Sequence, residues 1–127
     1  MSPDGQKLLI GTISAIHVYD AISLTSLGSI PTGAPAIHFT FHPTLPLVYA
    51  SSGTAVLEIN LNALAVTRNF DVRGTSQGLA LDPNGTDLYV AAEGGTLQIL
   101  DRTTGQETQA IPLGVHSLAL RSLRRRT

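Results

Sequence analysis

Apolar residues along this chain come in short bursts, mostly at every other position, and Gly, Pro, Asn, Asp and Thr separate the bursts. A period of two predicts half-buried strands, and breaks this short leave no room for helices between them. The bursts themselves recur. Pro3, Pro43 and Pro83 lie forty residues apart, each shortly before an apolar run: Leu8-Leu9-Ile10-Gly11, Val48-Tyr49-Ala50-Ser51 and Leu88-Tyr89-Val90-Ala91. After a small-residue break come second runs at 16–20, 57–61 and 97–101, which align in that order. Gly33, Gly74 and Gly114, forty-one and forty residues apart, lead into a further alternation at 37–41, 77–81 and 116–120. Segments 26–30, 66–70 and 107–111 lie between these and read as outer edge strands, so each repeat holds four strands.

Turn chemistry agrees with this phase. Pro3-Asp4-Gly5 and Pro83-Asn84-Gly85 supply the fixed φ and the positive φ that a tight connection needs, and Gly53 and Gly94-Gly95 mark the next hairpins. Asp101-Arg102-Thr103-Thr104-Gly105 suits a turn in which the Asp accepts backbone N–H groups and the Gly is left-handed; the first two repeats lack that glycine.

These residues resemble the YVTN-type β-propeller repeat, in which an inner strand, a Pro-Asp-Gly turn and a Val-Tyr-Val-Thr-Asn-like strand recur. The best copy runs Gly78-Leu79-Ala80-Leu81-Asp82-Pro83-Asn84-Gly85-Thr86-Asp87-Leu88-Tyr89-Val90-Ala91-Ala92, with Ala91-Ala92 in place of Thr-Asn. The second repeat has Thr44-Leu45-Pro46 in place of the Asp-Gly turn. The resemblance implies an all-β partial propeller of about three four-stranded antiparallel blades: blade 1 over about 5–31, blade 2 over about 36–72 and blade 3 over about 76–112.

Met1 and Ser2 take the places of Phe41-His42 and Leu81-Asp82, where an inner strand ends, so blade 1 is expected to lack its inner strand. An orphan inner strand is expected at about 115–120, followed by a basic tail, 121–127. Propellers have four to eight blades, and three wedges leave apolar faces that something must cover. The orphan strand is therefore expected to complete the first blade of a second chain, giving a homodimer of six blades through the terminal blades. The abrupt ends also fit a piece cut from a longer propeller.

Composition removes several chemistries. No apolar run approaches the eighteen residues of a membrane span, and the absence of cysteine removes disulfides and thiolate sites. Net charge is −1, but Arg121, Arg124, Arg125 and Arg126 sit in the tail; four basic residues then face nine acids in the body, which argues against a nucleic-acid-binding face. The tail arginines read as a solvated end. Met1-Ser2-Pro3-Asp4-Gly5 lacks the features of a secretory signal, whereas the family resemblance points to a bacterial periplasmic or extracellular setting.

Four histidines remain: His17, His38, His42 and His116, none at metal-ligand spacing. His17 reads as an ordinary strand position, and His42, whose counterpart is Asp82, as a turn-stabilising side chain. His38 alternates with Ile37 and Phe39 on an inner strand, facing either the channel or a neighbouring blade. His116 opens the orphan strand at the place of Gln77, where the resemblance implies a residue near the channel mouth. His116, Gln77 and His38 are thus the candidate ligand contacts. Asp4, Asp20, Asp82, Asp87 and Asp101 recur at turns, where they cap N–H groups, and there is no Gly-x-Ser-x-Gly elbow and no phosphate loop. No catalytic set, metal or cofactor is expected. The chain reads as a non-catalytic scaffold or binding module for a protein or small-molecule ligand, with a piece of a lactonase-like or dehydrogenase-like propeller enzyme as the alternative.

Overall fold

A computed structural model gives the fold and describes residues 1–72 and 74–112. Within these residues there are strands and turns but no helix. The first sheet contains β1 (Lys7–Gly11), β2 (Ala15–Asp20) and β3 (Ser26–Pro31), in that order. The second contains β4 (Ala36–Phe41), β5 (Leu47–Ser52), β6 (Ala55–Asn60) and β7 (Ala65–Asp71). The third repeats it with β8 (Ser76–Leu81), β9 (Asp87–Ala92), β10 (Thr96–Asp101) and β11 (Glu107–Pro112). All pairings are antiparallel. The sheets stack as successive blades of a partial β-propeller, with β4 and β8 side by side as its innermost strands.

The turn that precedes each second strand is closed by one bond in all three blades. Ser2 N–H donates to Lys7 O (2.8 Å), His42 N–H to Leu47 O (2.9 Å) and Asp82 N–H to Asp87 O (3.0 Å). This equates β1 with β5 and β9. Among the described residues nothing pairs with the inner edge of β1, so the first blade has three strands where the others have four. Segments 115–120 and 121–127 lie outside the described residues.

One alignment made from sequence shifts by a residue. The side-chain oxygens of Asp20, Asn60 and Asp101 each accept two backbone N–H groups two and three residues on, at 2.8–3.0 Å. Asn60, not Leu61, is therefore the counterpart of Asp20, and Val56 that of Ile16. Val56, Leu57, Glu58 and Ile59 are all buried, so β6 has no exposed face from which the phase could be read.

Strand alternation gives each sheet two apolar faces, and the core is made of the seams between them. In the first seam Leu9, Ile16, Val18 and Ile30 of sheet 1 meet Val48, Ala50, Leu57 and Ile59 of sheet 2. In the second, Tyr49, Val56 and Phe70 of sheet 2 meet Leu79, Leu88, Val90 and Leu100 of sheet 3. Each fully buried Val, Leu or Ile contributes roughly 1.5–3 kcal/mol, so the two seams account for most of the favourable burial.

The β2–β3, β6–β7 and β10–β11 turns end on a left-handed residue. In the third it is Gly105 (φ 77°); in the first two, leucines fill the position, Leu24 (φ 59°) and Leu64 (φ 53°). A left-handed leucine costs roughly 1–2 kcal/mol, and glycine returns roughly 0.5–1 kcal/mol of that as unfolded-state entropy. Leu24 is 65% exposed and loses little packing on truncation, whereas Leu64 packs on the first seam. Denaturant titration in dilute solution is expected to show Leu24→Gly more stable by about 0.5–1 kcal/mol, and Leu64→Gly less stable by about 1–3 kcal/mol.

Candidate functional site

Of the three expected ligand contacts, His38 and Gln77 fall near the start of the strands β4 and β8. His38 lies in an irregularity of β4, between the pairs Ala36↔Ser52 and Phe39↔Ala50, and its backbone N–H donates to Ser51 Oγ (3.1 Å). The His38 side chain is half-buried. Gln77 lies in the corresponding irregularity of β8, between Ser76↔Ala92 and Gly78↔Ala91, and β4 and β8 are neighbouring strands. The equivalent of Gln77 in β4 is Ile37, which is 63% exposed. His116 lies outside the described residues. Among the described residues no three His, Asp or Glu side chains gather where they could hold a metal ion.

Two features that the sequence reading did not single out are better formed. A cleft of about 500 Å³ opens between the first turns of blades 1 and 2. Ser2, Pro3, Asp4 and Lys7 form one wall, the segment 41–47 the other, and Leu61 and Asn62 close its outer end. Its origin lies in one position. His42 packs its ring against the next turn, so closely that a Cβ on Gly85 would overlap its Nε2. Ser2, at the same place in blade 1, is too short to fill the space before Leu45, the counterpart of Gly85. The hydroxyl of Ser2 and the N–H of Gln6 bond Asp4 Oδ1 and hold that carboxyl below its usual range, so the rim carries a fixed negative charge beside Lys7. The recess offers an apolar wall of Phe41, Leu47 and Leu61 and a polar lip, an arrangement suited to binding.

The second feature is a buried polar clasp across the seam of sheets 2 and 3. Tyr49 Oη donates to Glu58 Oε2 (2.7 Å) and Thr67 Oγ1 to Glu58 Oε1 (2.9 Å). Arg102 reaches over from sheet 3, with Nη1 3.3 Å from Tyr49 Oη and 3.8 Å from Glu58 Oε2, while its Nε donates to Gly85 O. Arg68 stacks 4.8 Å over the Phe70 ring and donates to Arg102 O (2.8 Å). Burial, and then the bond to Glu58, push the Tyr49 phenol well above its usual value, so it stays a donor. Both carboxylate oxygens are engaged, which makes the clasp a structural element. Its sequence signal is a glutamate inside a strand that is otherwise apolar.

At the matching places of the first seam stand Leu9, Val18 and Leu61, an apolar version of Tyr49, Glu58 and Arg102. Removing one partner of a buried ion pair strands the other, whereas replacing the whole set by apolar residues is close to neutral. Arg102→Ala is expected to lower the unfolding free energy by about 2–4 kcal/mol, and the triple change Tyr49→Leu, Glu58→Val, Arg102→Leu to recover most of that loss in the same titration.

His42 is the other buried ionisable group with a defined role. Its Nδ1 accepts the N–H groups of Thr44 (3.1 Å) and Leu45 (3.0 Å), two and three residues on, whereas Asp82 Oδ1 at the same place in blade 3 accepts those of Thr86 and Asp87, four and five residues on. Nδ1 must be unprotonated to do so. Burial, assisted by the charge of Arg102, lowers the His42 pKa below its ordinary value. The folded chain thus binds fewer protons than the unfolded one, and the contribution is complete above pH of about 6.5 and lost as pH falls below it. Thermal unfolding between pH 7 and pH 5 is expected to show a falling melting temperature, with a flatter profile in His42→Asn, whose Oδ1 can accept the same bonds without titrating.

Comparison with known proteins places the fold and little more. No family model matches the sequence, and no curated protein matches it. In structure the chain is similar to the Kuenenia stuttgartiensis hydrazine synthase, with a TM-score of 0.86 at 18% identity over 94% of this chain and 36% of that one. It is also similar to a chain of a mitotic checkpoint complex, with a TM-score of 0.79 at 19% identity over 87% of this chain and 35% of that one. Both are β-propeller-containing proteins. The chain spans about a third of the length of these matched chains. In all, 849 chains of solved structures match, a breadth that selects an architecture and no single activity.

Proposed function

We propose that this chain is a propeller scaffold with a binding role, and that two copies close into one ring of six YVTN-type blades. The observation that carries this reading is the face of sheet 1 turned away from sheet 2: Leu8, Ile10, His17 and Tyr19, with Ile10 45% exposed. Their counterparts are buried. In sheet 2, Val48, Ala50, Leu57 and Ile59 are 0–6% exposed, and in sheet 3, Leu88, Val90, Gln98 and Leu100 are 0–4% exposed. Sheet 1 thus carries a face of the kind that a preceding blade covers elsewhere in the molecule.

The open inner edge of β1 supports the same reading. Beyond Lys7, which bonds Ser2, this edge has no strand partner among the described residues and forms a template for one more strand. His116-Ser117-Leu118-Ala119-Leu120 repeats the pattern of Gln77-Gly78-Leu79-Ala80-Leu81 in β8, the strand that pairs with β9. In the proposed dimer each copy supplies this segment to the β1 edge of the other, and a two-fold axis makes both closures identical. Gln77 and His38, with His116 at the matching sequence position, are the proposed ligand contacts at the channel mouth, and the cleft beside Ser2 is a second recess on the turn side.

Sedimentation equilibrium tests the assembly. The expected mass is twice 13.3 kDa, and Ile10→Asp, at a position already half-exposed in the single chain, is expected to yield a folded monomer. A folded wild-type chain that keeps a mass of 13.3 kDa throughout the micromolar range refutes the ring.

A further inference from the structure

Leu24 has the left-handed backbone that its turn shares with Leu64 and Gly105, but its leucine side chain is 65% exposed to water, a cost that the described residues leave unexplained. The two corresponding turn positions show what a side chain at this place meets. Leu64 crosses the first seam until its Cδ1 lies 3.0 Å from where a Cβ on Gly28 would stand. Gly105 is the reverse case. A Cβ there would lie 3.0 Å from the Phe70 ring and 3.2 Å from an Arg68 guanidinium nitrogen. At both seams, then, the left-handed residue of one blade faces the outer strand of the preceding blade, and a large residue on one side meets a glycine on the other. Leu24 is the third member of this set and faces the side on which sheet 1 has no neighbour in the described residues.

We propose that Leu24 is the knob that locks ring closure, seated on β11 of a second copy of this chain beside Gln109 and Ile111. The proposal rests on the dimeric ring and names the contact that selects its partner. Gln109 pairs with Ile99 as Gly28 pairs with Val18 and Arg68 with Glu58, so it holds the place that a knob meets. Ile111 pairs with Leu97 as Ile30 pairs with Ile16 and Phe70 with Val56, which puts an apolar neighbour beside it. A second copy is the occupant because one molecule then supplies both missing parts. The segment that follows β11 in sequence carries the inner-strand pattern at 116–120, the kind of strand that the β1 edge would accept. Gln109 is exposed on an edge strand, so its flexible chain can move aside, though it leaves a shallower hole than Gly28 does.

Sedimentation equilibrium on the full chain, with Leu24→Gly, Gln109→Ala and the two combined, tests the contact. Leu24→Gly is expected to weaken self-association about tenfold or more, as loss of a buried interface leucine does, without lowering the melting temperature of the dilute chain. A merely structural leucine cannot give that pair of results. Gln109→Ala is expected to tighten association, and to do so less when Leu24 is also glycine. A wild-type dimer whose dissociation constant is unchanged by Leu24→Gly, or a Gln109→Ala effect equal in both backgrounds, overturns the knob while leaving the ring standing. A wild-type chain that is monomeric throughout overturns both.

Discussion

Side-chain alternation along a strand gives every sheet two faces, and in this molecule both faces are apolar. No helix layer covers either of them in the described residues. A sheet of this kind is stable only between two others, because half of its large side chains point each way. Sheet 2 meets the condition: Val48 and Ile59 are buried towards sheet 1, and Tyr49 and Val56 towards sheet 3. Among the described residues, sheet 1 meets it on one side only. Within the same residues, the open edge of β1 and the half-exposed Ile10 are two expressions of that single deficit, one in backbone hydrogen bonding and one in burial.

The two seams solve the same packing problem with different chemistry. Leu9, Val18 and Leu61 make the first entirely apolar, while Tyr49, Glu58 and Arg102 place a satisfied ion pair in the second. A buried pair of this sort adds little net stability over apolar residues, since desolvation offsets the attraction. It does discriminate. Stacking sheet 1 on the Tyr49 face of sheet 2 would bury the Glu58 carboxylate with Ala21 where Arg102 belongs, and an unpaired buried charge is heavily penalised.

The strands were legible in the sequence because period-two alternation, recurring prolines and hairpin glycines all report local backbone geometry. Even the drifted second turn, Thr44-Leu45-Pro46, kept the chain in phase. The phase of β6 was not legible: buried on both faces, its run lacks alternation, and only the Asn60 side chain, bonded to its own turn, fixes the register. The cleft and the clasp were hidden for a different reason. Each arises between residues forty or more positions apart, Ser2 with Leu45 and Glu58 with Arg102, and depends on which side chain is missing or present opposite another. His42 shows the intermediate case, since its likeness to Asp82 in the repeat gave its turn role, but its contact with Gly85 belongs to the packing of blades.

Those cases point to a division of labour between strands and turns. Although Gly11 cannot take the side chains of its counterparts Ser51 and Ala91, since a Cβ there would overlap Ala36 O, some strand positions in the three sheets are nearly interchangeable: Ile30, Phe70 and Ile111 fill the same place with modest changes of volume. Turn positions are not. Ser2, His42 and Asp82 close the same turn with a hydroxyl, an imidazole and a carboxylate, and Leu24, Leu64 and Gly105 share one left-handed conformation with opposite demands on the neighbouring blade. A strand substitution must respect two packed faces at once, whereas a turn residue answers to one neighbour and to water. The cleft beside Ser2 and the exposed Leu24 are two such turn differences, both on the turn side of blade 1.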